Sequence, residues 1–86
     1  MPKVLPMALA NESRAAYMHP DAARKDRELF VYNLGVLLSQ TREGIIGAEL
    51  DDFDIVHVRF ADGYVKRVNV RMDSYLAIVR DVTKHL

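Results

Sequence analysis

Between Ile55 and Met72 the chain alternates apolar and polar residues on either side of one turn signal, Ala61-Asp62-Gly63. A period of two is the strand period, so the segment reads as an antiparallel β-hairpin with two unlike faces. Its register follows from chemistry. A two-residue Asp62-Gly63 loop would pair Ala61 with Tyr64 and set Val58 against Arg67, which mixes apolar and basic rows on each face. A three-residue loop, a type I turn closed by Gly63 in the left-handed region, instead pairs Phe60 with Tyr64, Val58 with Lys66 and Val56 with Val68. One face then collects Val56, Val58, Phe60, Tyr64, Val68, Val70 and Met72. The other carries Ile55, His57, Arg59, Val65, Arg67, Asn69 and Arg71.

A lone two-stranded ribbon is marginal in water, so the apolar face requires a cover. The flanking sequence supplies it. Pro20 and Asp21 mark the start of a long helix in which Asp26 and Glu28 lie early, Arg42 lies late and Gly44 provides a left-handed cap. Phe30, Val31, Leu34, Leu37 and Leu38 form its apolar stripe, and Gly35 weakens the helix locally. Val31, Tyr32 and Val36 widen the stripe enough to predict contact with another subunit. Downstream, Ile45-Ile46-Gly47-Ala48-Glu49-Leu50 fits either one helical turn or part of a strand, and Asp51-Asp52-Phe53-Asp54 reads as an acidic turn. Asp73 or Ser74 caps a last helix whose inner face is Leu76, Val79, Val82 and Leu86, with Tyr75 and Ile78 beside it.

The expected fold class is therefore α+β: a long helix, an antiparallel hairpin at about 55–60 and 64–72, and a C-terminal helix packed on one face of the sheet. Residues 1–20, with Pro2 and Pro6, are expected to form an arm in which Asn11 caps a short helical turn through Tyr17, and 21–86 to form one domain.

Composition narrows the function classes. A chain of 86 residues buries a small core, about 60% of the surface its unfolded form exposes. Twelve basic residues balance twelve acidic ones, so no global field draws the chain to nucleic acid or anionic lipid, and a local patch must carry any such attraction. The absence of cysteine removes thiol chemistry and fits a cytoplasmic location. No apolar run approaches the roughly 20 residues that span a bilayer, and no secretory signal is expected.

Catalytic constellations are sparse. Ser13, Ser39 and Ser74 stand outside any Gly-x-Ser-x-Gly elbow, and Ser74 suits a helix cap. Asp51, Asp52 and Asp54 lack the further ligand positions of a calcium loop. His19, His57 and His85 are scattered, with no i, i+4 pair for a transition metal. The expectation is a non-enzyme without metal or cofactor. Gly44-Ile45-Ile46-Gly47, between a helix and two strands followed by a helix, is similar in order to the KH module, whose GXXG loop clamps a nucleic-acid backbone. Here its central residues are isoleucines that offer phosphate no cation, and a helix cap at Gly44 accounts for the same letters.

The hairpin's basic face is the best functional signal. Arg59, Arg67 and Arg71 share it with Asn69, suited to hydrogen-bonding a base, and with His57, which the register sets opposite Arg67. These five residues are the candidate site for nucleic acid or for an acidic protein partner. The leading expectation is a small non-catalytic interaction module that forms a homodimer, because a short sheet leaves edges open and the first helix has a wide apolar stripe. A nucleic-acid-binding accessory protein is the alternative.

Overall fold

The computed structural model describes residues 20–86, with side chains from residue 23 onward. The predicted arm and its helical turn, with His19, lie outside the described residues. The fold is α+β, in the order α1 (Pro20–Thr41), β1 (Ile45–Leu50), β2 (Ile55–Phe60), β3 (Val65–Asn69) and α2 (Tyr75–Lys84). The strands form an antiparallel meander, β1-β2-β3.

The predicted hairpin register is the observed one. Val56 pairs with Val68, His57 with Arg67 and Val58 with Lys66. Gly63 sits at φ +92°, its N–H donates to Phe60 O at 3.0 Å, and Phe60 N donates to Tyr64 O at 2.9 Å. The rings of Phe60 and Tyr64 meet across the turn at 5.5 Å. The second strand is shorter than expected. It ends at Asn69, and Met72 is 92% exposed in the following turn rather than on the apolar face. The turn begins there because Asn69 Oδ1 accepts from Arg71 N at 3.0 Å, a side-chain bond that competes with continued pairing.

Ile45–Leu50 is a strand, which settles the choice between helical turn and strand and removes the GXXG loop, since Ile45 to Gly47 belong to the sheet. Ile45 pairs with Phe60 and Gly47 with Arg59, so a bulge lies between them and Ile46 is left without a cross-strand partner. Ala48, opposite Val58, is buried under α1.

Helix α1 lies chiefly over β1. The reason is Gly35. A Cβ there would stand 2.3 Å from Ala48 N, so the helix backbone rests directly on the strand. The residue that lowers helix propensity is thus the one that permits the closest helix–sheet approach. Val31, Leu34 and Leu38 flank this contact and join Ile45, Val56, Val58, Val68, Val70, Ile78 and Val82 in the core. Leu37, one step round the helix, is 49% exposed.

Helix α2 closes the other half of the same sheet face. Ser74 is its N-cap, its side chain accepting from Ala77 N. Its buried stripe is centred on Ile78 and Val82, with Tyr75 and Val79 packed against the core. Leu76, expected inside, is 80% exposed because it falls about 100° round the helix from Tyr75. Phe30 and Tyr75 stack at 4.5 Å, and Tyr75 donates its hydroxyl to Asp26 Oδ2 at 2.7 Å. Burial, then the Asp26 carboxylate, push the Tyr75 phenol upward from its ordinary value. Arg27 donates to Val70 O and Asp73 O, which ties the β3–α2 connection to α1.

Candidate functional site

Both helices cover one sheet face, so the other has no cover among the described residues. The cross-strand rows on this outer face are Glu49–His57–Arg67 and Gly47–Arg59–Val65, with Ile55 beside Asn69. Ile55 and Val65 are half-buried beneath the charged side chains, as expected when arginine stems lie on apolar surface.

The predicted basic site divides into three parts. First, Arg59 Nη2 stands 2.8 Å from Glu49 Oε1, and its guanidinium lies across Gly47, where a Cβ would come within 3.0 Å of it. Second, His57 Nε2 stands 2.8 Å from Asp51 Oδ2. The carboxylate that meets this histidine therefore belongs to the chain itself. Third, Arg67 makes no ion pair among the described residues and lines a shallow depression of about 420 Å³ together with Glu49, Asp51, His57, Arg59 and Val65. Asn69 and Arg71 do not join this group as expected. Asn69 spends its side-chain oxygen on the turn, and Arg71, beyond the strand end, lines a separate depression with Asp52, Phe53 and Asp54.

Sequence reasoning missed Glu49 and Asp51, the two acids that convert a basic hairpin face into a mixed-charge sheet face. Glu49 arrives on β1, whose alternation is broken by its bulge, and Asp51 follows at the β1–β2 turn. Asp51 also builds the β1–β2 turn: its Oδ1 accepts from Phe53 N at 2.8 Å and Ile55 N at 3.0 Å. The His57 hydrogen bond, followed by that from Ile55 N, holds its carboxyl below the ordinary value, so Asp51 is a fixed anion at neutral pH.

The three residues predicted to touch another subunit also separate. Val31 is fully buried in the chain's own core and Val36 is 3% exposed, so neither offers a partner a surface, because Gly35 draws this side of α1 onto β1. Tyr32 is 38% exposed and flanks a small groove with Ile46, which is 49% exposed.

Among the described residues, neither serine is paired with Asp51 or His57. Ser39 Oγ donates to Val36 O within α1, and Ser74 caps α2. Among the described residues no group of three or more histidines and acids is placed to hold a metal ion, and no helix is long and apolar enough to cross a membrane. Away from this face, Asp73 Oδ2 is buried without a hydrogen-bond partner among the described residues. The Asp81 carboxyl beside it, which can accept a bond from a protonated Asp73 and repels an ionised one, and then burial, raise the Asp73 carboxyl from its ordinary value. Arg80 holds Asp81 in the opposite direction.

What the arrangement offers is a wide, shallow polar surface on which Arg59 and His57 are paired with acids and Arg67 is without an ion pair among the described residues. Comparison with known proteins adds no relative to this description, since no protein-family model, no curated protein and no solved structure matches the chain.

Proposed function

We propose that this chain is a small non-catalytic interaction module that works as a homodimer, in the cytoplasm given its lack of cysteine. The observation that carries the reading is the outer face of the sheet, which no element among the described residues covers. Its charges are divided across the sheet, Glu49 on β1 with Asp51 just beyond it, and on β3 Arg67, which has no ion pair among the described residues, above the half-buried Ile55 and Val65. Such a face suits a partner with the reciprocal pattern, whereas chemistry would require converging groups around a reacting atom. Sedimentation equilibrium of the purified chain at low and high salt tests it. A dimer that forms without nucleic acid supports the reading, and a strict monomer at high micromolar concentration sinks it.

Nucleic-acid binding is the second reading, favoured by Arg67 and Arg71, neither of which has an ion pair among the described residues. It is weakened by Glu49 and Asp51 on the same face and by the engaged side chain of Asn69. Binding of short DNA or RNA that weakens as salt rises, with the slope falling by roughly one unit for each phosphate contact removed, would support it. Unchanged binding in the double variant Arg67→Ala, Arg71→Ala would exclude this surface.

A further inference from the structure

The outer face is asymmetric across the sheet in two ways that coincide. Charge is one. The β1 side carries Glu49 and Asp51, the β3 side carries Arg67, and the Glu49–His57–Arg67 row sets acid and base at the same height along the strands. Side-chain lean is the other. Both polar side chains of β2 lean toward β1, His57 onto Asp51 and Arg59 over Gly47 onto Glu49. Arg67 is thereby left without an ion pair among the described residues on the β3 side, in a shallow depression that Glu49 and Asp51 also line.

Resting on the homodimer reading above, we infer that this face is covered by a second copy of the chain, stacked face to face about a two-fold axis that runs along β2. Rotation about that axis keeps height along the strands and exchanges the two sides of the sheet, so β1 of one copy lies over β3 of the other. Glu49 of each copy then faces Arg67 of the other. A two-fold axis perpendicular to the strands would stack β1 on β1 and set acid against acid, an arrangement that the charges oppose. Three short strands, at about 4.8 Å spacing and about 3.3 Å per residue, offer roughly 300 Å² a side. Stable complexes bury about 800 Å² a side. The dimer is accordingly weak, and salt screens it.

The test is a charge swap, read by sedimentation equilibrium of the full chain at low and physiological salt, with melting curves confirming that each variant folds. Arg67→Glu, which breaks no ion pair among the described residues, should weaken association by about tenfold or more, and Glu49→Arg should do the same. The double swap should restore association to within a few-fold of the original. If Glu49→Arg fails to fold after losing its contact with Arg59, Arg67→Glu and Arg67→Gln still decide the matter through a graded loss. If Arg67→Glu dimerises unchanged while Ile46→Lys yields monomers, the dimer forms through the Tyr32–Ile46 flank. That outcome overturns the stacked face and leaves the homodimer reading intact. A chain that is monomeric at every concentration overturns both.

Discussion

The two hairpin turns are built alike from unlike residues. In the β2–β3 turn, Phe60 and Tyr64 pair across three residues, Gly63 N donates to Phe60 O, and Gly63 holds φ +92°. In the β1–β2 turn, Asp51 N donates to Ile55 O, Asp54 N donates to Asp51 O at 3.3 Å, and Asp54 holds φ +60°. The loop length, the bonds and the left-handed closing position are the same. Glycine adopts that position without strain, whereas aspartate is among the few other residues that tolerate it. Side-chain help differs accordingly. Asp62 Oδ1 accepts one bond, from Tyr64 N, whereas the Asp51 carboxylate accepts from Phe53 N, Ile55 N and His57 together. Where backbone geometry is costly, an acid inside the turn compensates, so the first hairpin depends on a charge and on its tertiary setting. The second depends on a glycine.

The largest expected effect breaks that setting. Gly35→Ala raises helix propensity by about 1 kcal/mol, and would stabilise the chain if α1 stood alone. Against Ala48 it forces helix and strand apart, and the expected result is a net loss of about 2–4 kcal/mol in chemical denaturation. Faster hydrogen exchange should appear in β1 before β2 and β3. A neutral or stabilised variant would mean that β1 is held by its turn rather than by α1.

Gly63→Val comes next. A β-branched residue at positive φ should cost about 1–3 kcal/mol, and an unchanged melting temperature would refute the type I plus left-handed closure of the second turn. Asp54→Gly is its counterpart with the opposite sign. Relieving the left-handed strain should raise stability by a few tenths to about 1 kcal/mol, as far as added unfolded-state entropy allows. A clear destabilisation would show that Asp54 contributes more than a tolerated backbone angle.

The smallest effects are in pH. The Asp51 carboxyl is lowered in the fold, so its contribution is present above its unfolded value of 3.8 and is lost as pH falls through the folded value. Asp73 is raised, so its contribution is present below 3.8 and is lost as pH rises through its own folded value. Melting curves should therefore show Asp51→Asn less stable near neutrality, with the difference shrinking in acid. Asp73→Asn, whose amide can donate to Asp81, should melt at or above the parent temperature at pH 7. A lower melting temperature for Asp73→Asn would show that the buried oxygen has a donor in solution.

The same contrast shows how far the residues could be read without coordinates. The β2–β3 register was legible because only one pairing keeps Val56, Val58 and Val68 on one face, and because Gly63 announces the turn. The helices were legible from their periodicity and caps, although Leu37 and Leu76 turned outward when contact with the sheet chose the centre of each stripe. Among the site residues, His57, Arg59 and Arg67 were placed correctly on one face, but their partners were not. Asp51 was read only as part of an acidic turn, and Glu49 lies on a strand whose bulge breaks its alternation, so the period did not set either acid opposite His57 and Arg59.

The sequence by itself determined the local choices: two amphipathic helices, one hairpin and its register, since these depend on residues near one another in the chain. Tertiary structure decided the third strand and, with it, the character of the outer face. Ile45–Leu50 becomes β1 because β2 offers an unpaired edge and because Gly35 lets α1 rest on Ala48, a contact between segments that are not adjacent in the chain. Once β1 is in place, its acids meet Arg59 and His57, and a face that reads as basic in two strands is mixed in three.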